Sequence, residues 1–130
     1  MTAVLSIRGL TKSYKPGIPV LKGIDLEFEE RGMTAIIGPS GTGKSTLIRI
    51  INRLVDPSDG SVCFKGEELS HIEGRQLREA RRRIGMVFQH ANLLDSRTTA
   101  QNIAYPLALA GVPKGQRHES VARMLTLVGL

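Results

Sequence analysis

The chain has 130 residues, a hydrophobic share of 41% and a formal net charge of +6, which together allow one small globular domain at most. Its single cysteine, Cys63, excludes an internal disulfide bond and suits a reducing compartment. The least polar stretch, residues 103–112, contains Pro106 and Gly111 and is far shorter than the ~20 residues that span a bilayer, so a membrane link requires a partner.

The first part of the chain predicts β-structure. Residues 4–10 alternate loosely between apolar and polar side chains, and residues 24–28 alternate strictly, as half-buried strands do. Pro16 and Gly17 lie between these runs and predict a turn. A short apolar run of β-type residues follows at 33–37. We therefore expect three strands in this region.

The stretch from Gly38 to Ser45 carries the most specific motif. It fits the phosphate-binding loop G-x-x-x-x-G-K-[ST] at every fixed position. A predicted strand precedes it, and a helical pattern follows it to about Leu54. Glycines permit backbone conformations that a side chain would block, and a helix N-terminus attracts phosphate. A Gly-rich turn without a ligand is the alternative, but the agreement of the motif with its flanks favours a phosphate site.

The residue types in this loop predict separate contacts to Mg²⁺ and to the phosphates of a nucleotide. Lys44 can reach the β- and γ-phosphates, and the hydroxyl of Ser45 can ligate Mg²⁺. Thr46 can hydrogen-bond an α-phosphate oxygen. The predicted phosphate-binding residues are Gly38, Pro39, Ser40, Gly41, Thr42, Gly43, Lys44, Ser45 and Thr46.

Strands and helices alternate beyond the loop helix. Residues 61–65 and 84–88 predict strands, and residues 72–82 predict a helix between them. Much of the positive charge lies here, in Arg75, Arg78, Arg81, Arg82 and Arg83. A solvated helix face is favoured over a nucleic-acid surface, because Glu79 can pair with two of these arginines and no aromatic residues are interleaved with them.

Capping patterns predict where the later helices begin. Ser70 with Glu73 and Thr98 with Gln101 each fit a capping box, and the second pair opens a third helix. Pro106 should kink or break that third helix. The apolar face of a last helix consists of Val121, Met124, Leu125 and Val128.

This order of features resembles the ATP-binding subunit of ABC transporters over the whole chain. Tyr14 stands ahead of the loop, where that family has an aromatic residue that stacks on adenine. Residues 84–89 look like the strand that delivers the Q-loop glutamine, here Gln89. In the family this glutamine contacts Mg²⁺ and the attacking water, and its loop signals to the membrane partner. The implied fold is α/β: a P-loop NTPase with an N-terminal antiparallel β-subdomain.

Residues 82–98 are similar to the methionine-importer branch nearly residue by residue. Importers of other amino acids and of phosphonates share much of this pattern and remain alternatives, as does a stand-alone P-loop phosphotransferase or GTPase. The resemblance implies that residues 1–89 form the β-subdomain and P-loop core. It implies that residues 90–130 form the Q-loop and the start of the helical subdomain.

Three family features are missing from the chain: the LSGGQ-type signature, the apolar run ending in Asp-Glu, and the later switch histidine. The resemblance therefore implies the N-terminal half of an ATPase (translocase) domain, with no catalytic residue of its own and no activity alone. The implied partners are a transmembrane permease, a second ATPase subunit in a homodimer and, indirectly, a substrate-binding protein, with no nucleic acid. The implied location is the cytoplasmic face of the cell membrane, as a peripheral subunit.

Overall fold

The computed structural model describes residues 3–90 and 92–130. The predicted domain ranges also include Met1, Thr2 and Ala91, which lie outside the described residues. The chain divides into two compact units between Met86 and Val87. The first unit contains β1 (Ala3–Lys15), β2 (Ile18–Glu29), α1 (Lys44–Ile51), β3 (Asp59–Phe64), β4 (Glu67–Glu68) and α2 (Gly74–Arg82). The second contains α3 (Thr99–Leu109) and α4 (Lys114–Leu127).

The sheet of the first unit is antiparallel, with strand order β2-β1-β3-β4. The two residues Pro16 and Gly17 connect β1 to β2, so the predicted turn is confirmed as a tight hairpin. Both strands extend further than the alternating patterns at 4–10 and 24–28 suggest. The core joins the sheet to the helices through Ile7, Leu10, Leu21, Leu47, Ile50, Val62, Leu69 and Ala80.

Two predicted strands, residues 33–37 and 84–88, are absent from the described structure. Both segments are irregular, and Met33 and Ile37 are 98% and 92% exposed. A strand needs a neighbour to accept and donate its backbone hydrogen bonds, and the described sheet ends at β2 and β4 without pairing with either segment. These two strand predictions are therefore wrong for this structure, although both segments are apolar enough to form strands.

One of the two predicted capping boxes is formed. The amide of Gln101 donates to Thr98 Oγ1 at 3.2 Å, and the amide of Thr98 donates to Gln101 Oε1 at 2.9 Å. The other is wrong, because α2 begins at Gly74 without a side-chain cap. The hydroxyl of Ser70 is buried and instead accepts a hydrogen bond from the amide of Val62 at 2.8 Å. Ser70 thus stabilises β3 rather than the helix.

In the second unit, Asn102 holds the loop that precedes α3. Its Oδ1 accepts from the amide of Leu94 at 2.8 Å, and its Nδ2 donates to the carbonyls of Leu94, Arg97 and Thr98 at 3.1–3.2 Å. The predicted break at Pro106 does not occur, since α3 continues to Leu109. The helix forgoes only the one backbone hydrogen bond that the Pro106 nitrogen cannot donate.

Arg81 joins α2 to the end of α1. Its Nε donates to the carbonyl of Asn52 at 3.1 Å, and its Nη2 donates to the carbonyl of Arg53. Asn52 caps the C-terminus of α1, where carbonyls lack partners within the helix. Arg53 is itself buried and pairs with Asp56 while donating to the carbonyl of Ile72 at 3.2 Å. The guanidinium of Arg81 therefore stabilises a helix end, in addition to contributing charge.

Replacing Arg81 with methionine should lower the free energy of unfolding by about 1.5–3 kcal/mol, because two carbonyls lose charge-assisted hydrogen bonds while the apolar stem is kept. Urea denaturation followed by circular dichroism measures this change. Arg78→Met removes the same charge from an exposed position of the same helix and serves as the control. Similar losses in the two variants would show that charge alone, rather than the helix-end contact, is responsible.

The remaining charges of α2 pair mainly at the surface. Arg75 Nε donates to Glu79 Oε1 at 2.8 Å, as their spacing predicts. This hydrogen bond and the positive charge of Arg75 lower the pKa of Glu79. Arg83 pairs with Glu67 of β4 instead of with Glu79.

Among the described residues, no helix combines the length and the apolar character needed to cross a membrane.

Candidate nucleotide-binding site

Gly43 sets the geometry of the loop that leads into α1. It caps the helix with φ at +91°, the left-handed region that side chains rarely adopt. An added Cβ would lie 2.9 Å from Leu21 Cδ2 and 3.2 Å from the carbonyl oxygen of Val20. Glycine is thus needed here for its conformation and for the close approach of β2. The first backbone N–H groups of α1 are left without helical partners, which favours an anion at this end.

The side chain of Lys44 folds back over the loop. Its Nζ donates to the carbonyls of Gly38 at 2.7 Å and Pro39 at 2.6 Å. The hydroxyl of Thr42 also donates to the carbonyl of Pro39, at 2.9 Å. Within the described part of the chain, no carboxylate pairs with Lys44. Its partners are neutral carbonyls, so no described carboxylate offsets the positive charge of Lys44, and the loop has the features expected of an anion site.

A cavity of about 310 Å³ lies beside the loop. It is lined by Tyr14, Val20, Ser40, Gly41, Gly43, Lys44, Ser45 and Thr46. The hydroxyl oxygens of Tyr14 and Thr46 are 3.4 Å apart, and the Tyr14 side chain is largely exposed. The end of β1 thus places the predicted adenine-stacking residue next to the predicted phosphate loop. A cavity lined by both the Tyr14 ring and the Lys44 side chain suits a ligand with a planar base at one end and a negatively charged group at the other.

Val20 also lines the cavity, although no sequence motif predicts this role for it. It lies on β2 and meets the loop only because that strand packs beside Gly43. The sequence around Val20 contains no local pattern that predicts contact with a ligand. A contact of this kind depends on the tertiary arrangement, which the sequence pattern does not contain.

The donor set of the cavity suits Mg²⁺ that arrives together with phosphates. Ser45 lines the cavity with a hydroxyl, and the described residues contain no group of three or more His, Cys, Asp or Glu side chains able to hold a metal. Mg²⁺ keeps several waters and takes few protein ligands when phosphates supply the others. Gln89 is exposed and belongs to the second unit. Its role as a second Mg²⁺ ligand stays a prediction.

Comparison with known proteins agrees with this geometry. The family described as ABC transporter matches residues 21–130. The methionine import ATP-binding protein MetN of Halalkalibacterium halodurans is 45% identical over 130 residues, which cover 100% of this chain and 38% of the relative. The phosphonates import ATP-binding protein PhnC of Bordetella parapertussis is 53% identical over 107 residues, covering 79% of this chain and 42% of the relative.

A solved structure shows the same fold. It is the ATP-binding cassette MJ0796, a dimer in a post-hydrolysis state bound to ADP and Pi, with a TM-score of 0.84 and 31% sequence identity. The match covers 97% of this chain and 57% of the solved chain. The chain spans about two fifths of the length of the curated relatives, 38% and 42%. The described antiparallel sheet and helices are therefore those of an α/β P-loop ATPase core that continues further in these proteins.

Proposed function

This chain belongs to the ABC transporter family, and from that premise we propose that it forms the ATP-binding half of an importer's energy-coupling ATPase. One observation carries the proposal: Tyr14 lines a single cavity together with five loop residues, Ser40, Gly41, Gly43, Lys44 and Ser45. The two features come from separate parts of the chain, and each matches one end of a nucleoside triphosphate. Binding of inorganic phosphate alone would not require an aromatic side chain in the cavity.

In this proposal the loop residues bind the phosphates. The amides at the start of α1 and the Lys44 ammonium hold the β- and γ-phosphates, so Lys44 exchanges its carbonyl partners for phosphate oxygens. The small residues between Gly38 and Gly43 let the backbone approach the phosphates closely. Ser45 offers its hydroxyl oxygen to the magnesium, which neutralises phosphate charge when bound. A contact of Gln89 to the magnesium is implied by the family resemblance alone. Thr46 contacts the α-phosphate, and Tyr14 stacks on adenine.

The division of the chain supports the domain assignment that we propose. Residues 1–89 form the β-subdomain with the P-loop core, and residues 90–130 form the Q-loop and the start of the helical subdomain. The observed boundary between Met86 and Val87 lies three residues before this division. In this scheme Gln89 couples nucleotide state to a membrane partner instead of contributing to binding affinity.

The transported substrate and the partners are inferred from relatives. The methionine importer of H. halodurans matches over the whole chain, which favours methionine, while the phosphonate importer of B. parapertussis matches over 79% of it. Another amino acid or a phosphonate is therefore the alternative substrate. The complete protein would pair with a second copy, as the MJ0796 cassette does. It would couple to a transmembrane permease, and indirectly to a substrate-binding protein, at the cytoplasmic face of the membrane.

Tyr14→Ala tests the nucleotide assignment. We expect it to weaken ATP binding by roughly 5- to 150-fold, since base–aromatic stacking is worth about 1–3 kcal/mol. The affinity for tripolyphosphate, which has no base, should stay unchanged. Isothermal titration of both ligands in the presence of Mg²⁺ measures the difference. Tyr105→Ala, which removes the chain's other tyrosine, is the matched control. Equal losses for ATP and tripolyphosphate would show that Tyr14 supports the loop and does not bind a base.

A further inference from the structure

The turn after α1 holds the end of β1 at three points. Lys12 Nζ donates to the carbonyl of Asp56 at 2.7 Å. The amide of Ser13 donates to the hydroxyl of Ser58 at 3.0 Å, and the amide of Ser58 donates to the carbonyl of Thr11 at 2.9 Å. Residues 11–13 are thereby tied to the turn, and they immediately precede the tyrosine that borders the cavity.

Lys12 also contacts that tyrosine directly. Its ammonium lies 5.1 Å from the centroid of the Tyr14 ring, within the range of a cation–π contact. The other end of the ring is close to α1, since the Tyr14 hydroxyl is 3.4 Å from Thr46 Oγ1. Lys12 is not one of the cavity-lining residues, whereas Tyr14 and Thr46 both are. The ammonium therefore contacts the ring without lining the cavity itself.

We infer that Lys12 is a positioning residue for the nucleotide base, which it affects only by holding the Tyr14 ring beside the cavity. The inference rests on the proposed function, because it assumes that Tyr14 binds a base. A mostly exposed tyrosine has several rotamers, and binding must pay for selecting one of them. The Asp56 carbonyl fixes the ammonium, and the ammonium fixes the ring. This restraint on the Tyr14 ring lowers the entropic cost of binding a ligand whose base stacks on the ring. A ligand without a base gains nothing from the restraint.

The test compares a ligand with a base to one without. In the 130-residue chain, Lys12→Met should weaken ATP binding by about two- to fivefold, the range expected for an exposed cation–π contact. Tripolyphosphate affinity should not change. Lys12→Arg should restore ATP affinity, because a guanidinium can also lie on an aromatic ring and donate to a carbonyl. Lys15→Met removes the same charge from an exposed neighbour on β1 and should leave both affinities as they are.

The possible outcomes separate the inference from the proposed function. If Lys12→Met weakens both ligands equally, its charge acts on phosphate and the inference is overturned. If Tyr14→Ala weakens ATP selectively but Lys12→Met does not, the inference fails while the nucleotide site stands. If Tyr14→Ala shows no selectivity, the proposed base site itself fails. Circular dichroism of Lys12→Met and Lys12→Gln checks folding, and unfolding of both would make Lys12 a structural residue, which also overturns the inference.

Discussion

Lys44→Ala is expected to weaken ATP·Mg²⁺ binding by roughly 10- to 150-fold, corresponding to about 1.5–3 kcal/mol for a charge-assisted hydrogen bond to phosphate. The ammonium is already aimed at the loop, where it donates to the carbonyls of Gly38 and Pro39. A bound phosphate would take over those donors from the two carbonyls. Alanine removes both the charge and the donors, so tripolyphosphate should lose affinity in parallel with ATP.

Two controls isolate the charge of Lys44 from its support of the loop. Thr42→Val removes the hydroxyl that donates to the Pro39 carbonyl, so it loosens the loop without changing charge. Lys22→Ala removes a cation from an exposed position on β2. Both variants should bind ATP much more tightly than Lys44→Ala does. If Lys44→Ala binds as tightly as the unmodified chain in a titration calorimeter, the loop is not a phosphate site and the nucleotide assignment collapses.

The second large effect is an absent reaction: these 130 residues alone should release no phosphate from ATP above the Lys44→Ala background. The described residues that line the cavity include no Asp, Glu or His to polarise an attacking water. General-base catalysis typically contributes about 10²–10⁴-fold to a rate. Stabilisation of the transferring phosphoryl group by a second subunit would be lost as well.

A phosphate-release assay at saturating ATP and Mg²⁺ measures this expectation, with binding checked on the same sample. Binding of ATP without turnover would agree with a phosphate-binding site that lacks a general base. Turnover that Lys44→Ala abolishes would mean that a base within these residues does the chemistry. Gln89→Ala then becomes the decisive variant, because the family resemblance implies a water-positioning role for Gln89. Loss of turnover in that variant would show that these 130 residues contain a complete active site. The proposal that they form only the ATP-binding half would then be wrong.

The sequence by itself determined the features that depend on neighbours along the chain. The phosphate loop can be recognised because two glycines, a lysine and a serine stand at set spacings before a helix. The Pro16–Gly17 hairpin and the Thr98–Gln101 capping box follow for the same reason, since each is a contact between residues a few positions apart. The adenine role of Tyr14 came from family resemblance, because no local rule gives an exposed tyrosine that task.

Only the tertiary structure decided the contacts between distant parts of the chain. Lys12 reaches Asp56 across 44 positions, and Arg81 reaches Asn52 across 29, yet both sit in stretches that look like ordinary solvated surface. The same dependence explains the errors. Residues 33–37 have the composition of a strand, but a strand is completed by its hydrogen-bonding partner, and the described sheet provides none. Ser70 likewise bonds a strand amide that folding brings within reach, in preference to the helix that follows it in the sequence.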